Sequence, residues 1–424
     1  MAIAAASIVS WIAYRFRRLS VVVLLVSVLI PSLVQMLHLL PVGWDVVGGG
    51  VRLSDLVVIG MWGATAAILM NGRNASREVR LLMTFSVALA VVLGVAVARN
   101  WGSYGLSALG EFRFRYLILG LPVYLALGFN QSILRAWAAK LLAWAPVVGV
   151  ILALPLVVAE KGVGFDEASR LYPSSISLGL LLAVVWMALR GMKQDEVLHG
   201  VASYAAIGLA GFIILKDAHR SVWLVAAACV LVLLVTRAVE IRRLWLWVMG
   251  VVVVGLLLII GFGPTGGIVA DYVATRSRAF FNPTEDPTSY WRLSVWRAYL
   301  QPFLQDPLFG QGFGGYWDVY VPELGARVIT SPHSVYVQTL VKVGLVGLAS
   351  LLAWFGVCIR LLTKGVVLRD SGNRPQWVLV VMGLVAIAAT LAYGSVYALD
   401  FWPLAWLGLG LAERLHGNAV TTSE

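Results

Sequence analysis

The chain has only two cysteines, Cys229 and Cys358, and both lie inside apolar runs. They say nothing about redox compartment and read as helix-packing residues. Histidine is scarce too, with five in 424 residues. No CxxC, HExxH or similar ligand spacing occurs, so no metal is expected. There is no P-loop and no GxGxxG opening a helix, so no nucleotide or other cofactor is expected. The greatest shortage is of charge. Only 12% of residues are charged against 60% hydrophobic, with a mean hydropathy of +0.87, which excludes an ordinary soluble domain. The net charge of +11 has a simpler cause than nucleic acid, which is not expected as a partner. In a chain of this kind it sets orientation in a membrane.

What is abundant is apolar length. Runs of about 16–22 residues recur almost throughout, enough for each to cross a bilayer as a helix. A β-barrel would instead show alternating segments of about ten residues. The expected fold is therefore all-α, a polytopic integral membrane protein of about twelve transmembrane helices. The spans are expected near 19–40, 55–71, 81–98, 116–129, 139–159, 174–190, 200–215, 220–236, 244–262, 334–360, 377–395 and 399–413. The first is read as retained, because Arg15, Arg17 and Arg18 precede a run of full length. Residues 1–18 read as an interfacial amphipathic helix. Short basic loops place both termini in the cytoplasm.

Residues 1–424 read as one membrane domain with a single large outer loop, 263–333. In that loop 271–279 and 289–305 are expected to be helical. Trp291, Val295, Ala298 and Tyr299 recur at helical spacing in the second stretch, which places that helix on the membrane face. A glycine-rich aromatic loop, PLFGQGFGGYW (307–317), follows.

Three groups of residues are able to carry chemistry. His333, in SPHSVYVQTLVKVGLVGL, starts the next apolar run. It reads either as an interfacial histidine wetted at a helix start, or as a general acid or base, because imidazole titrates near neutrality. A helix N-terminus favours the neutral, base-competent form. The second group is a set of arginines assigned to the outer side, including Arg113, Arg115, Arg170, Arg220 and Arg292. Arginine at a span end reads as snorkelling. A set converging on one face reads as an anion site, because guanidinium binds phosphate through two parallel hydrogen bonds. Carboxylates form the third group, with Glu111 and Asp217 read as arginine partners. Gly344 and Gly347 read as a close-packing pair between helices.

The stretch from His333 to Gly347 reads His-Ser, nine residues, then GxxG. It resembles the histidine motif of the O-antigen ligase and polymerase superfamily. Upstream, RLSVWRAYLQPFLQDPLFGQGFGGY (292–316) resembles the Arg, Trp and Ala stretch that leads to that family's PLxGxGxG loop, and His219-Arg220-Ser221 resembles its basic-Ser element. The resemblance is specific over about 290–350 and architectural elsewhere. It implies a GT-C-like glycosyltransferase of the bacterial cytoplasmic (inner) membrane, inverting and metal-independent, with its site facing the periplasm. The implied donor is a glycan on undecaprenyl diphosphate. The implied acceptor is lipid A–core for a ligase, or another lipid-linked glycan for a polymerase. His333 is then the general base. Arg292, Arg220, Arg170, Arg113 and Arg115 bind the diphosphate. Ligase and polymerase are not separated by these motifs, although the His-Ser–GxxG spacing is the ligase form. A lipid-linked sugar transporter is the competing class. It predicts repeated halves with matching broken helices, which the sequence does not display.

Overall fold

The computed structural model describes residues 45–47, 51–71, 76–105, 107–108, 110–111, 116–129, 131–161, 174–190, 219–238, 286–315, 318–329, 331–366 and 374–416, with isolated positions elsewhere. A two-stranded ribbon, β1 (Asp45–Val47) and β2 (Val51–Arg52), precedes α1 (Leu53–Asn71) and α2 (Arg77–Arg99). There follow the short α3 (Trp101–Tyr104), α4 (Gly120–Gly128), α5 (Ser132–Lys161), α6 (Ser174–Arg190) and α7 (Arg220–Val235). Next come α8 (Pro287–Phe303) and a hairpin of β3 (Val319–Val321) and β4 (Ala326–Val328). The last helices are α9 (Val335–Val366), α10 (Arg374–Gly394) and α11 (Phe401–His416).

By length and composition, four described helical stretches suffice to cross a membrane: Arg77–Arg99, Ser132–Leu152, Val335–Val366 and Gln376–Gly394. Shorter apolar helices cover Ile59–Ile68, Leu117–Gly128, Ser174–Arg190 and Arg220–Val235. This is an integral membrane protein. The spans expected at 19–40, 200–215 and 244–262, and the helices expected at 1–18 and 271–279, lie outside the described residues. The segment 116–129 divides into a 3-10 turn, Leu117–Leu119, and α4.

Helix α11 is the centre of the core. It packs against α4, α5 and α10, and α10 in turn against α7 and α9. Tryptophans fill the interior, with Trp354, Trp402 and Trp406 fully enclosed. Where α10 meets α11, Gly383 lies against Gly410, and a Cβ on Gly410 would sit 2.7 Å from the Gly383 Cα. Small residues of this kind let helix backbones approach closely. The start of α5 is fixed to the end of α11 by a buried bidentate pair. Arg135 Nε donates to Glu413 Oε2 at 2.5 Å and Arg135 Nη2 to Oε1 at 3.2 Å, and both side chains are 3% exposed.

Helix α9 is two helices. At Gly344 the backbone turns to φ 74° and ψ −168°, a region closed to residues with a Cβ. The 345–366 segment alone spans roughly 33 Å at 1.5 Å per residue, the thickness of a hydrocarbon core. The segment before the break buries Gln338, Thr339 and Lys342. The span expected at 334–360 overlaps Val335–Val366, and the break within it was not expected, since hydropathy averages across a feature that only backbone torsion defines.

The glycine-rich loop after α8 fills this break. Leu345 N donates to Pro307 O at 2.9 Å and Val346 N to Leu308 O at 3.1 Å, while Gln311 N and Gly312 N donate to Val341 O and Lys342 O. The polar groups freed by the broken helix are thereby satisfied, as a low-dielectric surrounding requires. Gly344 does not serve helix–helix packing, as the pair reading had it. It makes room for the loop, because a Cβ there would overlap the Leu308 carbonyl. Glu111 is paired with a lysine, while its neighbours Arg113 and Arg115 lie outside the described residues. Its Oε2 lies 3.3 Å from Lys342 Nζ and accepts Gly314 N at 2.8 Å. Lys342 Nζ also donates to Gly315 O at 2.7 Å.

Helix α8 begins with Asp286 as N-cap and Pro287 in the first turn, two residues suited to those positions. Its apolar face does not lie on the membrane. Val295, Ala298 and Tyr299 are buried with Val321 and Val328 of the hairpin and Val341 of α9. The spacing that marks an amphipathic helix is the same whether lipid or protein covers the face.

Candidate functional site

The site is assembled on the first turns of α8. Ser334 opens α9, its Oγ accepting Val337 N at 3.4 Å. His333 precedes it in the left-handed region, at φ 49°. Histidine tolerates this region better than most residues, and such strain gathers at functional sites. The preceding carbonyl, Pro332 O, accepts a hydrogen bond from Trp296 Nε1 of α8. The half-buried imidazole stands between two rings. Trp291 of α8 has its centroid 5.8 Å away, and Tyr397, just beyond α10, has its centroid 6.2 Å away and edge-on.

Arg292 follows Trp291 and also reaches Tyr397. Its guanidinium carbon lies 5.3 Å from the ring centroid, and its Nη2 is 3.5 Å from the Tyr397 hydroxyl. Tyr397 also accepts the Val335 N–H through its carbonyl at 3.0 Å. The connection after α10 therefore caps the helix that His333 introduces.

Arg220, the first residue of α7, meets the N-terminus of α8. Its Nη2 donates to Asp286 Oδ2 at 2.8 Å and its Nη1 to Ser289 Oγ at 3.2 Å. Burial pushes the Asp286 carboxyl up. Hydrogen bonds from Arg220 and Ser289 outweigh burial and hold the carboxyl below its usual value. Ser289 and Arg292 are three apart and share a face of α8. One helix therefore gathers Arg220, Arg292 and His333. Arg113, Arg115 and Arg170 lie outside the described residues. Two further arginines are tied to carboxylates: Arg99 to Asp306 at 2.6 Å and Arg327 to Asp318 at 3.0 Å.

The sequence does not disclose Tyr397 or Asp286 as parts of this cluster, while Trp296 is the Trp of the Arg, Trp and Ala stretch. Tyr393 and Tyr397, at the end of an apolar helix, match the ordinary aromatic belt of a membrane boundary. Only the folded chain brings Tyr397 to a histidine 64 positions earlier. Asp286 carries the one available signal, an Asp-Pro helix start with a serine three residues on.

Chemically, the arrangement offers a titratable ring beside a fixed cation at the end of an apolar helix, with a second arginine one turn away. That combination suits proton transfer next to an anion. No curated protein matches the chain. Residues 204–352 match the O-antigen ligase family, and His333, Arg292 and Arg220 all lie within them, as do the loop 307–317 and the break at Gly344. Over residues 204–352 the chain is therefore similar to the O-antigen ligase family.

Proposed function

We propose that the protein is an O-antigen ligase-type glycosyltransferase. It moves a glycan from undecaprenyl diphosphate to a sugar hydroxyl of lipid A–core at the periplasmic face of the inner membrane, with inversion and without a metal. The observation that carries this reading is that His333 and Arg292, both inside the stretch that matches the family, contact the same ring, that of Tyr397. His333 takes the proton of the acceptor hydroxyl as its oxygen attacks the anomeric carbon. The bond from that carbon to the diphosphate oxygen breaks, and the diphosphate leaves with the electron pair. Arg292, with Arg220 nearby, stabilises the charge that develops on it. A well-placed donor in a site closed to water contributes a few kcal/mol, about 10²–10³ in rate. Arg113, Arg115 and Arg170 are proposed as further diphosphate contacts on charge alone. The polyprenyl tail stays in lipid, so the reaction belongs at the membrane boundary.

The experiment is an in vitro transfer with purified protein in lipid, undecaprenyl-diphosphate oligosaccharide and EDTA, with and without lipid A–core. Product on lipid A–core is expected. A ladder of longer lipid-linked chains would make the protein a polymerase instead. Donor carried across the bilayer without transfer would overturn the enzyme reading.

A further inference from the structure

Four arginines of the described chain have a carboxylate partner: Arg99, Arg135, Arg220 and Arg327. Among the described residues Arg292 forms no ion pair. It lies over a neutral ring, its guanidinium carbon 5.3 Å from the Tyr397 centroid. That distance is within cation–π range. The difference has a chemical consequence. A carboxylate would hold the side chain in place but cancel its charge toward an incoming anion. An aromatic face holds it and leaves the charge available.

The ring is itself well fixed. Tyr393 stacks beneath it at 4.9 Å and 22°. The Tyr393 hydroxyl is in turn 2.7 Å from Ser174 Oγ at the start of α6. The Tyr397 carbonyl holds the Val335 N–H, and the Tyr397 ring meets the His333 imidazole at a steep angle, 75° between the planes. Four helices therefore converge on one phenol: α10 through Tyr393, α6 through the Ser174 contact to Tyr393, α9 through its first turn, and α8 through Arg292. The hydroxyl contact to Arg292 is long, at 3.5 Å, and is weak as a hydrogen bond. The face of the ring is the stronger contact.

From this geometry we infer that Tyr397 is a positioning residue, whose aromatic face holds the uncancelled Arg292 guanidinium beside His333 for a polyprenyl diphosphate. The inference rests on the glycosyltransferase reading for its ligand class, and it acts through Arg292. A merely structural tyrosine would act on both arginine and non-arginine backgrounds alike.

The test compares Tyr397→Phe with the same position carrying a ring-fluorinated phenylalanine. Fluorination keeps the shape and removes the negative face, so folding is not the variable. Each is made with Arg292 present and with Arg292→Ala, in full-length protein in nanodiscs. The readout is the dissociation constant for farnesyl diphosphate. With Arg292 present, fluorination is expected to weaken binding about tenfold relative to Tyr397→Phe, the order of one desolvated cation–π contact. With Arg292→Ala the two rings should bind within about twofold. An equal loss in both backgrounds, or no loss in either, overturns the inference. So does unchanged binding on Arg292→Ala alone. The transfer assay described above is run on the protein with Tyr397 and Arg292 unaltered, so failure of the positioning role and failure of the glycosyltransferase reading are separately visible.

Discussion

Replacing Gly344 with alanine separates two accounts of α9 by the sign of the effect. In a continuous helix, glycine to alanine stabilises by about 0.5–1 kcal/mol, because glycine loses more backbone freedom on folding. At a break filled by a loop, the substitution destabilises. An alanine at φ 74° and ψ −168° sits in a region used almost only by glycine, at a cost of about 1–3 kcal/mol. Its Cβ would overlap the Leu308 carbonyl and lie 2.6 Å from Phe309 N. These are backbone atoms and have no rotamer to change. Displacing them breaks the hydrogen bonds from Leu345 N and Val346 N, each contributing about 0.5–1.5 kcal/mol net. The sum is about 2–6 kcal/mol, a large share of a typical stability of about 5–15 kcal/mol. Thermal unfolding in detergent should show the apparent Tm of Gly344→Ala falling by at least about 5 °C. Gly356→Ala is the control, on the same helix with open space at the Cβ position, and it should not fall. A Tm for Gly344→Ala equal to or above that of the wild type would refute the broken helix.

Three further outcomes are expected. Glu413→Ala strands Arg135 in the core, and breaking a buried pair in this way costs about 3–5 kcal/mol; a double change to Arg135→Met and Glu413→Leu should recover most of the lost Tm, and its failure to do so would place the effect elsewhere. The Asp286 carboxyl is held below its usual value by Arg220 and Ser289 against the pull of burial, so its contribution is complete above about pH 4, the ordinary aspartate value, and is lost as pH falls through the lowered one. The Tm gap between the wild type and Asp286→Asn should accordingly be constant from pH 7 to pH 5 and close below pH 4, and a gap that widens in acid would contradict the assignment. Arg292→Lys keeps the charge but loses the planar fork and the ring contact, so kcat/KM for transfer should fall about tenfold or more, and an unchanged value would remove bidentate contact from the account.

Helices whose pattern is uniform were legible residue by residue. The expected span 174–190 coincides with α6, and 55–71 and 81–98 fall inside α1 and α2. Apolar length and helical period suffice there, because nothing interrupts them. The same reasoning failed at Gly344, since an apolar average is blind to one backbone torsion. It failed for α8 in another way. The apolar stripe was right, but its partner is a hairpin that begins only at Val319, built from three-residue strands too short for any alternation to register.

The site divides along the same line. His333 and Arg292 stand out in the sequence because they sit in a local motif with fixed spacing, and the fold brings both to Tyr397. The remaining arginines were legible only as charge, and charge does not say which carboxylate is near. Arg99 and Arg327 proved to be paired with Asp306 and Asp318, partners of the kind that make snorkelling arginines structural. Tyr397 was hidden because an aromatic at a helix end is the commonest of membrane features. Its role exists only through contacts to residues 64 and 105 positions away.

The central claim is that His333 is the base for glycan transfer. The most direct measurement is the single-turnover rate of transfer from undecaprenyl-diphosphate oligosaccharide to lipid A–core by the wild type and His333→Ala, at matched Tm and in EDTA. The account predicts loss of at least about a hundredfold, the lower end of what a positioned general base supplies. A His333→Ala variant that transfers at the wild-type rate would contradict it.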